Sequence, residues 1–344
     1  MDLKNNKNII IWAVDPTHEP DRALNIIKEL KVLAKHLNCE VQPVTIISKA
    51  TLNLPIDMNF PWKDRIQVIA QKSVTRYIKK TGAKGFLPPE LVFASALSNR
   101  KMAIELANYA ESKKAQLICA NTHAKKTLNP FRMGGFAETL AATSRVPVLL
   151  LNDKSLASTQ IPTILFATDF SRDSKIALTE LQTLAKTFKS KILIYNQVEM
   201  PDIYQSDFTN VGRTQVLNME SITTDLEKSR LKKGMALSEL LRKEKIDHKL
   251  LIQRQQKYLS DDILDVAKKN KVSLIAVATR SGPIAQALLG SVARDILLQA
   301  KCPVLVFYRP KASRKSSAVL KQKRRPIAPQ KVLPMNEVAE ARYT

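Results

Sequence analysis

The sequences NIIIWAVD at residues 8–15 and TILFATD at residues 163–169 decide the fold, because each is a short apolar run that ends in an aspartate. Runs of this length are typical of strands buried inside a sheet. Each run is followed by a stretch with apolar residues at every third or fourth position, at 22–35 and at 175–186. That spacing predicts a helix with one buried face. The same strand–helix unit therefore occurs twice in the chain.

The repeat extends through both halves of the chain. Asp15 and Asp169 are 154 residues apart, and Pro147 and Pro303 are 156 residues apart. A period of about 155 residues indicates duplication of a whole domain rather than a solenoid of short repeats. The later matching segments are AQLICANTH at 115–123 with VSLIAVATR at 272–280, and VPVLLL at 146–151 with CPVLVF at 302–307.

Strand-like runs alternate with helical stretches within each half, which predicts βαβ units and an α/β fold with a parallel sheet covered on both faces. We expect one domain at 1–152, a second at 162–308 and a polar linker near 152–161. The expected strands lie near 8–14, 41–47, 90–95, 116–121, 147–151, 163–168, 191–197, 248–253, 273–278 and 303–308. The expected helices lie near 21–37, 63–81, 98–113, 135–143, 172–187, 219–243, 259–269 and 291–299.

Two irregular segments, 48–62 and 198–218, follow the second expected strand of each half. They therefore begin at the carboxyl edge of the sheet, where open α/β sheets place their ligands. Two interpretations remain open for them. Each segment is either a lid over a ligand or an excursion of the chain across the surface.

The composition excludes several classes of protein. With 44% apolar and 25% charged residues among 344, the chain has the balance of a globular protein. No apolar run approaches the roughly 18 residues of a membrane span, and the amino terminus lacks the features of a secretory signal. Its three cysteines, Cys39, Cys119 and Cys302, form no CxxC pair, which favours a reducing cytoplasm over a disulfide framework or a zinc site. We expect Cys119 and Cys302 to be buried, unreactive thiols.

The net charge of +24 is partly concentrated at the carboxyl terminus. Residues 309–344 contain ten Lys or Arg against two Glu and show no apolar periodicity, so we expect a basic disordered tail. Its KQKRR run at 321–325 suggests salt-sensitive contact with nucleic acid or an anionic membrane. Its only aromatic residue is Tyr343, which offers little for base stacking, so a solubilising extension is an open alternative.

Signatures of catalysis are absent from the sequence. It contains no GxxxxGK[ST] loop, GxGxxG fingerprint, HExxH helix or GxSxG elbow. The four histidines are scattered, and none has a second His or a Cys at the spacing of a metal site. We therefore expect no metal site, no catalytic residues and no enzyme activity, with a slow ATPase left open.

Polar residues collect instead where strands of the second half end. Asp169 closes the first of these strands, and either Ser171 or Asp173 is placed to cap the helix that follows. Farther along, Gly290 and Ser291 introduce a later helix. A glycine and a hydroxyl residue at a helix amino terminus offer N–H groups and room for a phosphate, although the same pair also serves simply as a helix start.

These segments resemble the universal stress protein (UspA) family, in which a first strand ends in Asp and a helix introduced by Gly-Ser or Gly-Thr precedes the last strand. The resemblance covers nearly all of 5–310 outside the inserted segments, in the tandem two-domain form. It implies two flavodoxin-like (Rossmann-like) α/β/α domains with five-stranded parallel sheets in the order 3-2-1-4-5. It also implies that the two domains pack as an intramolecular pseudo-dimer through their last strands, near 147–151 and 303–308, since bare apolar edges are unfavourable.

Nucleotide-binding members of the family carry the pattern G-x2-G-x9-G-[ST], together with the aspartate of the first strand. Neither half of this chain has the complete pattern. In the second half Val277 and Arg280 stand at the first two glycine positions, and Gly282 fits only after a local shift. The resemblance implies candidate nucleotide-binding residues in the second half at Asp169, Arg280, Ser281, Gly282, Gly290, Ser291 and Val292. The degenerate equivalents in the first half are Asp15, Asn121, Ala124, Gly134 and Gly135.

The missing glycines weaken this expectation, because a Cβ near the phosphate or at a positive φ costs on the order of a kcal/mol and obstructs the ligand. The second half remains the better candidate for ATP, with Mg²⁺, or a related nucleotide. The resemblance implies a cytoplasmic stress-response sensor or adaptor, with a protein partner that the sequence does not identify and a homodimer as one possibility. The alternative is a stress protein that binds no nucleotide and acts on polyanions through its tail.

Overall fold

The computed structural model describes residues 8–17, 19–48, 63–94, 98–122, 135–151, 160–199, 219–279 and 289–308. The strands are β1 (Asn8–Ala13), β2 (Cys39–Ile47), β3 (Glu90–Phe93), β4 (Leu117–Asn121), β5 (Val148–Leu151), β6 (Thr163–Ala167), β7 (Lys191–Val198), β8 (His248–Arg254), β9 (Leu274–Thr279) and β10 (Val304–Tyr308). The helices are α1 (Leu24–Leu37), α2 (Lys63–Lys80), α3 (Asn99–Ser112), α4 (Gly135–Thr143), α5 (Arg172–Phe188), α6 (Met219–Lys243), α7 (Leu259–Lys269) and α8 (Ser291–Gln299). A short 3₁₀ turn at Pro20–Ala23 precedes α1.

Every strand and helix expected from the sequence is present, and the bounds differ by three residues at most. Agreement of this kind follows from the strong periodicity of the sequence, since type and existence of such elements are the most predictable features. The central parts of the two inserted segments, most of the linker and the whole basic tail lie outside the described residues. Among the helices that are described, none has the length and apolar character needed to span a membrane.

All ten strands form one continuous sheet in the order β3-β2-β1-β4-β5-β10-β9-β6-β7-β8. Read within each half, this is the expected order 3-2-1-4-5, which confirms the flavodoxin-like fold. Neighbouring strands are parallel except β5 and β10, which pair antiparallel with Leu149 opposite Leu305. These are the last strands of the two halves, so each covers the apolar edge of the other.

Helices cover both faces of the sheet, because successive side chains along a strand point to opposite faces. On β6, Ile164 and Phe166 join a core with α1, α2, α5 and α6, whereas Leu165 joins a second core with α3, α4, α7 and α8. All three of these side chains are fully buried. Burying a side chain of this size stabilises the fold by about 1.5–3 kcal/mol. The two cores pack the helices against the sheet, and the candidate site lies at the carboxyl edge of that sheet.

The three cysteines are free thiols and are buried. Burial raises the pKa of Cys302 to about 12, and it raises the pKa of Cys119 well above its ordinary value. The expectation that these two thiols are buried is therefore confirmed. Both are held in the protonated form at neutral pH, and a thiol is a poor nucleophile until it ionises.

Candidate functional site

Two adjoining cavities open at the carboxyl edge of the sheet in the second half. They lie beside the point where the strand order reverses, between β6 and β9, which is where ligands bind in open α/β sheets. The inner cavity has a volume of about 330 Å³ and the outer cavity about 960 Å³. They share the lining residues Gln197, Glu199, Arg230, Leu259 and Val292, so they form one continuous cleft.

The inner cavity is built from the ends of three parallel strands and the start of α8. Its lining residues from β6 and the turn after it are Ala167, Thr168, Asp169 and Ser174; those from β7 and β9 are Tyr195, Asn196, Val277, Ala278 and Thr279; those from α7 and α8 are Ile263, Gly290 and Ala293. The lining therefore combines small apolar side chains with polar ones.

Asp169 is held in place by the start of α5. Its Oδ1 accepts hydrogen bonds from the Ser171 backbone N–H at 2.9 Å and from the Ser174 hydroxyl at 2.6 Å. Phe170 has a left-handed backbone, with φ of 60°, so the chain turns sharply between β6 and α5. From α6, the Arg230 guanidinium approaches the Asp169 carbonyl at 3.5 Å. Local turn chemistry therefore fixes the carboxylate at the mouth of the cavity.

The sequence left two candidates for the N-cap of α5, and the turn after β6 shows which one is used. Ser171 is the N-cap of α5, and its hydroxyl accepts a hydrogen bond from the Ser174 backbone N–H at 3.2 Å. Asp173 lies in the first turn, where a negative charge is favoured by the helix dipole. Of the two candidates, Ser171 is thus confirmed as the cap.

Three buried polar atoms, in residues that line the inner cavity, have no hydrogen-bond partner among the described residues. They are the Tyr195 hydroxyl, the Asn196 Oδ1 and the Thr279 hydroxyl, in side chains of residues that are 1%, 6% and 8% exposed. A buried polar atom without a partner costs about 1–3 kcal/mol, so natural proteins rarely keep three together. All three atoms have almost no accessible surface, so they lie beneath the surface of the cavity rather than on it.

Sequence reasoning missed all three of these residues. Each lies near the carboxyl end of an otherwise apolar strand, in the segments ILIYNQV at 192–198 and LIAVAT at 274–279. A polar residue in that position was the available signal, because the carboxyl ends of parallel strands meet at one edge of the sheet.

Burial and the nearby Asp262 carboxylate keep the Tyr195 phenol neutral. The buried Asp262 carboxylate accepts hydrogen bonds from the Gln197 side-chain amide at 2.5 Å and from the backbone N–H groups of Gln256 and Lys257 at 3.2 and 3.3 Å. Burial, and then the charge of Asp262, raise the pKa of Tyr195 above its ordinary value. The phenol therefore remains a hydrogen-bond donor throughout the physiological pH range.

Gly290 caps α8 at the mouth of the inner cavity. Its φ is −58°, so the backbone itself does not require glycine there. A Cβ added at Gly290 meets no atom within 4 Å, which means that the missing side chain leaves open space. No side chain caps this helix, so the backbone N–H groups of its first turn are available at that space.

The outer cavity carries more negative than positive charge. Among its described lining residues, Glu199, Asp261 and Asp295 oppose the single cation Arg230. Tyr258, which is 81% exposed, presents an aromatic ring at its rim. Within the described ranges, no group of three or more His, Cys, Asp or Glu side chains is arranged to hold a metal ion.

The structure brings together most of the second-half residues singled out by sequence. Asp169, Gly290 and Val292 line the inner cavity, and Ser291 and Val292 line the outer one. The other three candidates, Arg280, Ser281 and Gly282, lie outside the described residues.

The first half keeps part of the same arrangement. The Asp15 carboxylate accepts hydrogen bonds from the Thr17 backbone N–H at 2.9 Å and from its hydroxyl at 2.6 Å, much as Asp169 accepts from the turn after it. Asn121 ends β4 and Gly135 begins α4. Ala124 and Gly134 lie outside the described residues. The two aspartate turns are therefore related, as the repeat predicted.

Two flavodoxin-like halves share one sheet, and the second has a ligand-sized cavity at its switch point. These features define a tandem, doubly wound α/β protein. The model of the universal stress protein family matches residues 7–152 and 161–307. The chain therefore belongs to the universal stress protein family, in its tandem form. No curated protein matches the sequence.

Two solved structures show the same fold at low identity, and a third relative is similar in sequence to part of the chain. A universal stress protein from Archaeoglobus fulgidus DSM 4304 is 16% identical with a TM-score of 0.60, over 88% of this chain and 96% of that one. A functionally unknown protein from Pseudomonas aeruginosa PAO1 is 13% identical with a TM-score of 0.55, over 92% and 96% of the two chains. The universal stress protein from Archaeoglobus fulgidus in complex with dAMP is 20% identical with a TM-score of 0.29, over 42% and 96%.

Proposed function

We propose that the second half of this universal stress protein binds ATP or a related nucleotide, and that the protein acts as a stress-response sensor or adaptor without catalysing a reaction. One observation carries the proposal. A ligand-sized cavity at the carboxyl ends of β6, β7 and β9 is lined by Asp169 and Gly290, and Gly290 opens α8, whose first backbone N–H groups have no side-chain cap. These N–H groups offer a place for the phosphates of a ligand.

The dimensions and placement of the cleft support a nucleotide. Ligand sites typically have volumes of about 300–1,000 Å³, and the inner and outer cavities, at about 330 and 960 Å³, lie within this range. We place the base in the inner cavity, between the ends of β6, β7 and β9. Its phosphates then extend over Gly290 toward the first turn of α8, where free N–H groups and the helix dipole favour an anion.

The charge of the outer cavity supports binding of the nucleotide as its Mg²⁺ complex. Glu199, Asp261 and Asp295 line the space into which the phosphates extend, and they repel a free triphosphate. Mg²⁺ is commonly held by substrate phosphates together with one or two carboxylates. A bound Mg²⁺ thus reduces the repulsion in the outer cavity.

A sensor or adaptor role follows if the ligand is bound but not turned over. Occupied and empty forms then differ in stability and at the edge of the sheet, and a protein partner distinguishes them. We place this role in the cytoplasm, as the cysteine usage indicates. We also propose that the whole chain binds a partner, which is either another protein or a second copy of the chain.

Titration calorimetry of the full chain with ATP and Mg²⁺ tests the proposal directly. We expect saturable heat and a rise in melting temperature, since a ligand at 100 times its Kd stabilises the folded state by about 2.7 kcal/mol. Mass spectrometry of material released from freshly purified protein identifies any ligand already bound. Absence of heat, of a thermal shift and of released nucleotide would overturn the proposal.

The basic segment 309–344 supports a second candidate function through its charge alone, ten Lys or Arg against two Glu. Contact with nucleic acid or anionic lipid through this segment depends strongly on salt, because each neutralised phosphate releases a counterion. Comparison of the full chain with a chain ending at residue 308, on DNA and on anionic vesicles, tests this candidate. An identical salt slope for both chains rules it out.

A further inference from the structure

We propose that β8, the last strand of the sheet in the second half, binds an extended acidic segment of a partner protein, which adds to the sheet as a further strand. This inference rests on the adaptor role in the proposed function, and it names a surface and a kind of partner for that role. It does not rest on nucleotide binding, because no described lining residue of either cavity belongs to β8.

The outer side of β8 presents a row of open backbone groups. Among the described residues, no strand lies beyond it in the sheet. The Asp247 carbonyl and the Gln255 N–H, just before and just after β8, each form a hydrogen bond of 2.9 Å to β7. Because backbone groups alternate in direction along a strand, those of His248, Leu250 and Ile252 point away from β7. Such an edge is a template for pairing with another chain.

The other edge of the sheet is built differently. β3 has four residues, whereas β8 has seven. Two prolines, Pro88 and Pro89, directly precede β3, and proline has no N–H to donate to a neighbouring strand. Short strands and prolines are devices that keep an edge from pairing. β8 has neither device, so of the two described edges it is the one open to a further strand.

Apolar side chains of α6 lie beside this open edge. Glu227, Leu231 and Met235 follow one another at intervals of four, so they form a row along the helix. The row lies on the β8 side, because the Glu227 carboxylate pairs with the Arg254 Nε at 3.1 Å, whereas Arg230 extends inward to the end of β6. Leu231 and Met235 are 45% and 61% exposed. A strand added to β8 covers both side chains.

The two faces of the edge differ in chemistry. Leu250 packs against α6, so its neighbour Lys249 projects from the opposite face of the sheet and is exposed. An added strand also alternates its side chains between the two faces. Its apolar residues then contact α6, and the residues between them lie beside Lys249.

The charge of the edge selects an acidic partner. Residues 242–254 contain five Lys or Arg against two acidic residues. Both acidic residues, Glu244 and Asp247, are already paired with lysines of α5 and β7. This excess of positive charge repels a second copy of β8 and attracts carboxylates. The segment that fits therefore alternates apolar with acidic residues.

A labelled nine-residue peptide in which Glu and Val alternate tests the inference. It is titrated with the full chain, and binding is followed by fluorescence anisotropy. One control peptide has Lys in place of Glu, and another has every backbone nitrogen methylated. We expect saturable binding of the Glu/Val peptide and at least about tenfold weaker binding of both controls, which lose the charge complementarity or the backbone donors.

Amide hydrogen exchange shows where the peptide binds. The Glu/Val peptide should slow exchange of the His248, Leu250 and Ile252 amides, which point away from β7. The Leu251 amide points toward β7 and should change little. No other site predicts this alternation along β8.

Three variants test the two faces separately. Lys249→Glu should weaken the Glu/Val peptide about tenfold and strengthen the Lys/Val peptide, because it reverses the charge of one face. Met235→Gln should weaken both peptides about threefold, since it removes apolar contact on the other face. Val68→Gln is the control, because Val68 is 53% exposed on α2, the corresponding helix of the first half. It should leave the affinity within about twofold.

The outcomes are distinguishable from failure of nucleotide binding, which a separate titration with ATP measures. If the Glu/Val peptide does not bind, or if it slows amides outside β8, the inference about the edge is wrong whether or not ATP binds. Equal binding of the Glu/Val and Lys/Val peptides would also overturn it. If the chain sediments as a dimer that protects the β8 amides without any peptide, a second copy occupies the edge and the acidic partner is ruled out.

Discussion

Asn196 on β7 and Thr45 on β2 occupy equivalent positions in the two halves, and each donates a hydrogen bond to the backbone carbonyl that precedes the strand-end aspartate. The two halves therefore share one scaffold at this edge of the sheet. They differ in the atoms that the side chain has beyond this shared hydrogen bond. Asn196 has a further amide oxygen, which is buried without a partner, and Thr45 has no equivalent atom.

Gly290→Val should abolish nucleotide binding with little change in stability. Its side chain enters the open space at the cavity mouth, where the added Cβ meets no atom within 4 Å, and it blocks the ligand rather than the fold. We expect affinity to fall at least about tenfold, which is 1.4 kcal/mol. Titration calorimetry and thermal unfolding measure the two effects.

Gly135→Val is the control in the first half, because Gly135 is the first residue of the equivalent helix α4, where Ser291 stands in α8, and a Cβ there also meets open space. It should leave nucleotide affinity unaltered. Equal loss of binding in both variants would place the ligand in both halves, and no loss in Gly290→Val would place it away from α8.

Removal of Mg²⁺ should weaken the binding of ATP and leave the binding of adenosine unchanged. The outer cavity carries Glu199, Asp261 and Asp295, so a free triphosphate meets like charges that Mg²⁺ screens. We expect a loss in ATP affinity on the order of tenfold. Titrations of both ligands with and without a chelator measure it. Equal ATP affinity under both conditions would show that the phosphates do not lie near these carboxylates.

Ser171→Ala should lower the free energy of unfolding by about 1 kcal/mol, because it removes the N-cap of α5. Denaturant unfolding measures this change. Thr179→Ala, on an exposed position of the same helix, is the control and should stay within about 0.5 kcal/mol. If Ser171→Ala lowers the free energy of unfolding no more than Thr179→Ala does, water replaces the Ser171 hydroxyl without a loss of stability.

Alkaline pH should destabilise the protein partly through Cys302. Its pKa rises from 9.0 to about 12 on folding because the thiol is desolvated. The unfolded chain therefore loses this proton at a lower pH than the folded one, and the stability contribution is complete below pH 9 and lost as pH rises toward 12. Cys302→Ala should flatten the decline in unfolding free energy over that window. An unchanged slope would show that the thiol is not desolvated.

The same burial predicts slow reaction of the thiols. In the native protein at pH 8, Cys119 and Cys302 should resist a disulfide reagent, because the thiolate is the reacting form and burial disfavours it. In denaturant all three cysteines should react at once. Rapid reaction in the native state would mean that the strands carrying them open easily.

Gly234→Ala tests the packing of α6 on β8. A Cβ at Gly234 would lie 2.7 Å from the Cδ1 of Leu250, so that side chain has to move. Alanine gains about 1 kcal/mol in helix propensity over glycine, but overpacking typically costs about 1–3 kcal/mol. We expect a net loss of stability of up to about 2 kcal/mol by thermal unfolding. A more stable variant would show that Leu250 moves freely into another rotamer.

The sequence predicted most of the fold because its signals are local or repetitive. Apolar spacing located β6 and α5, and the turn residues after Asp169 limited the cap to Ser171 or Asp173, since each signal lies within a few positions of the element that it specifies. The duplication then required two copies of one domain. Asp169 and Gly290 were found as candidates because they stand at the ends of such elements.

The residues alone specify two α/β halves and the two aspartate turns, and the family resemblance implies the strand order. Which polar atoms are left unpaired depends on the tertiary structure, because burial and partners depend on segments far apart in the chain. Tyr195, Asn196 and Thr279 meet at one cavity although more than 80 residues separate β7 from the end of β9. The same packing brings Arg230 of α6 to the Asp169 carbonyl across 61 positions. A ligand site of this kind arises from non-local packing, which local periodicity does not encode.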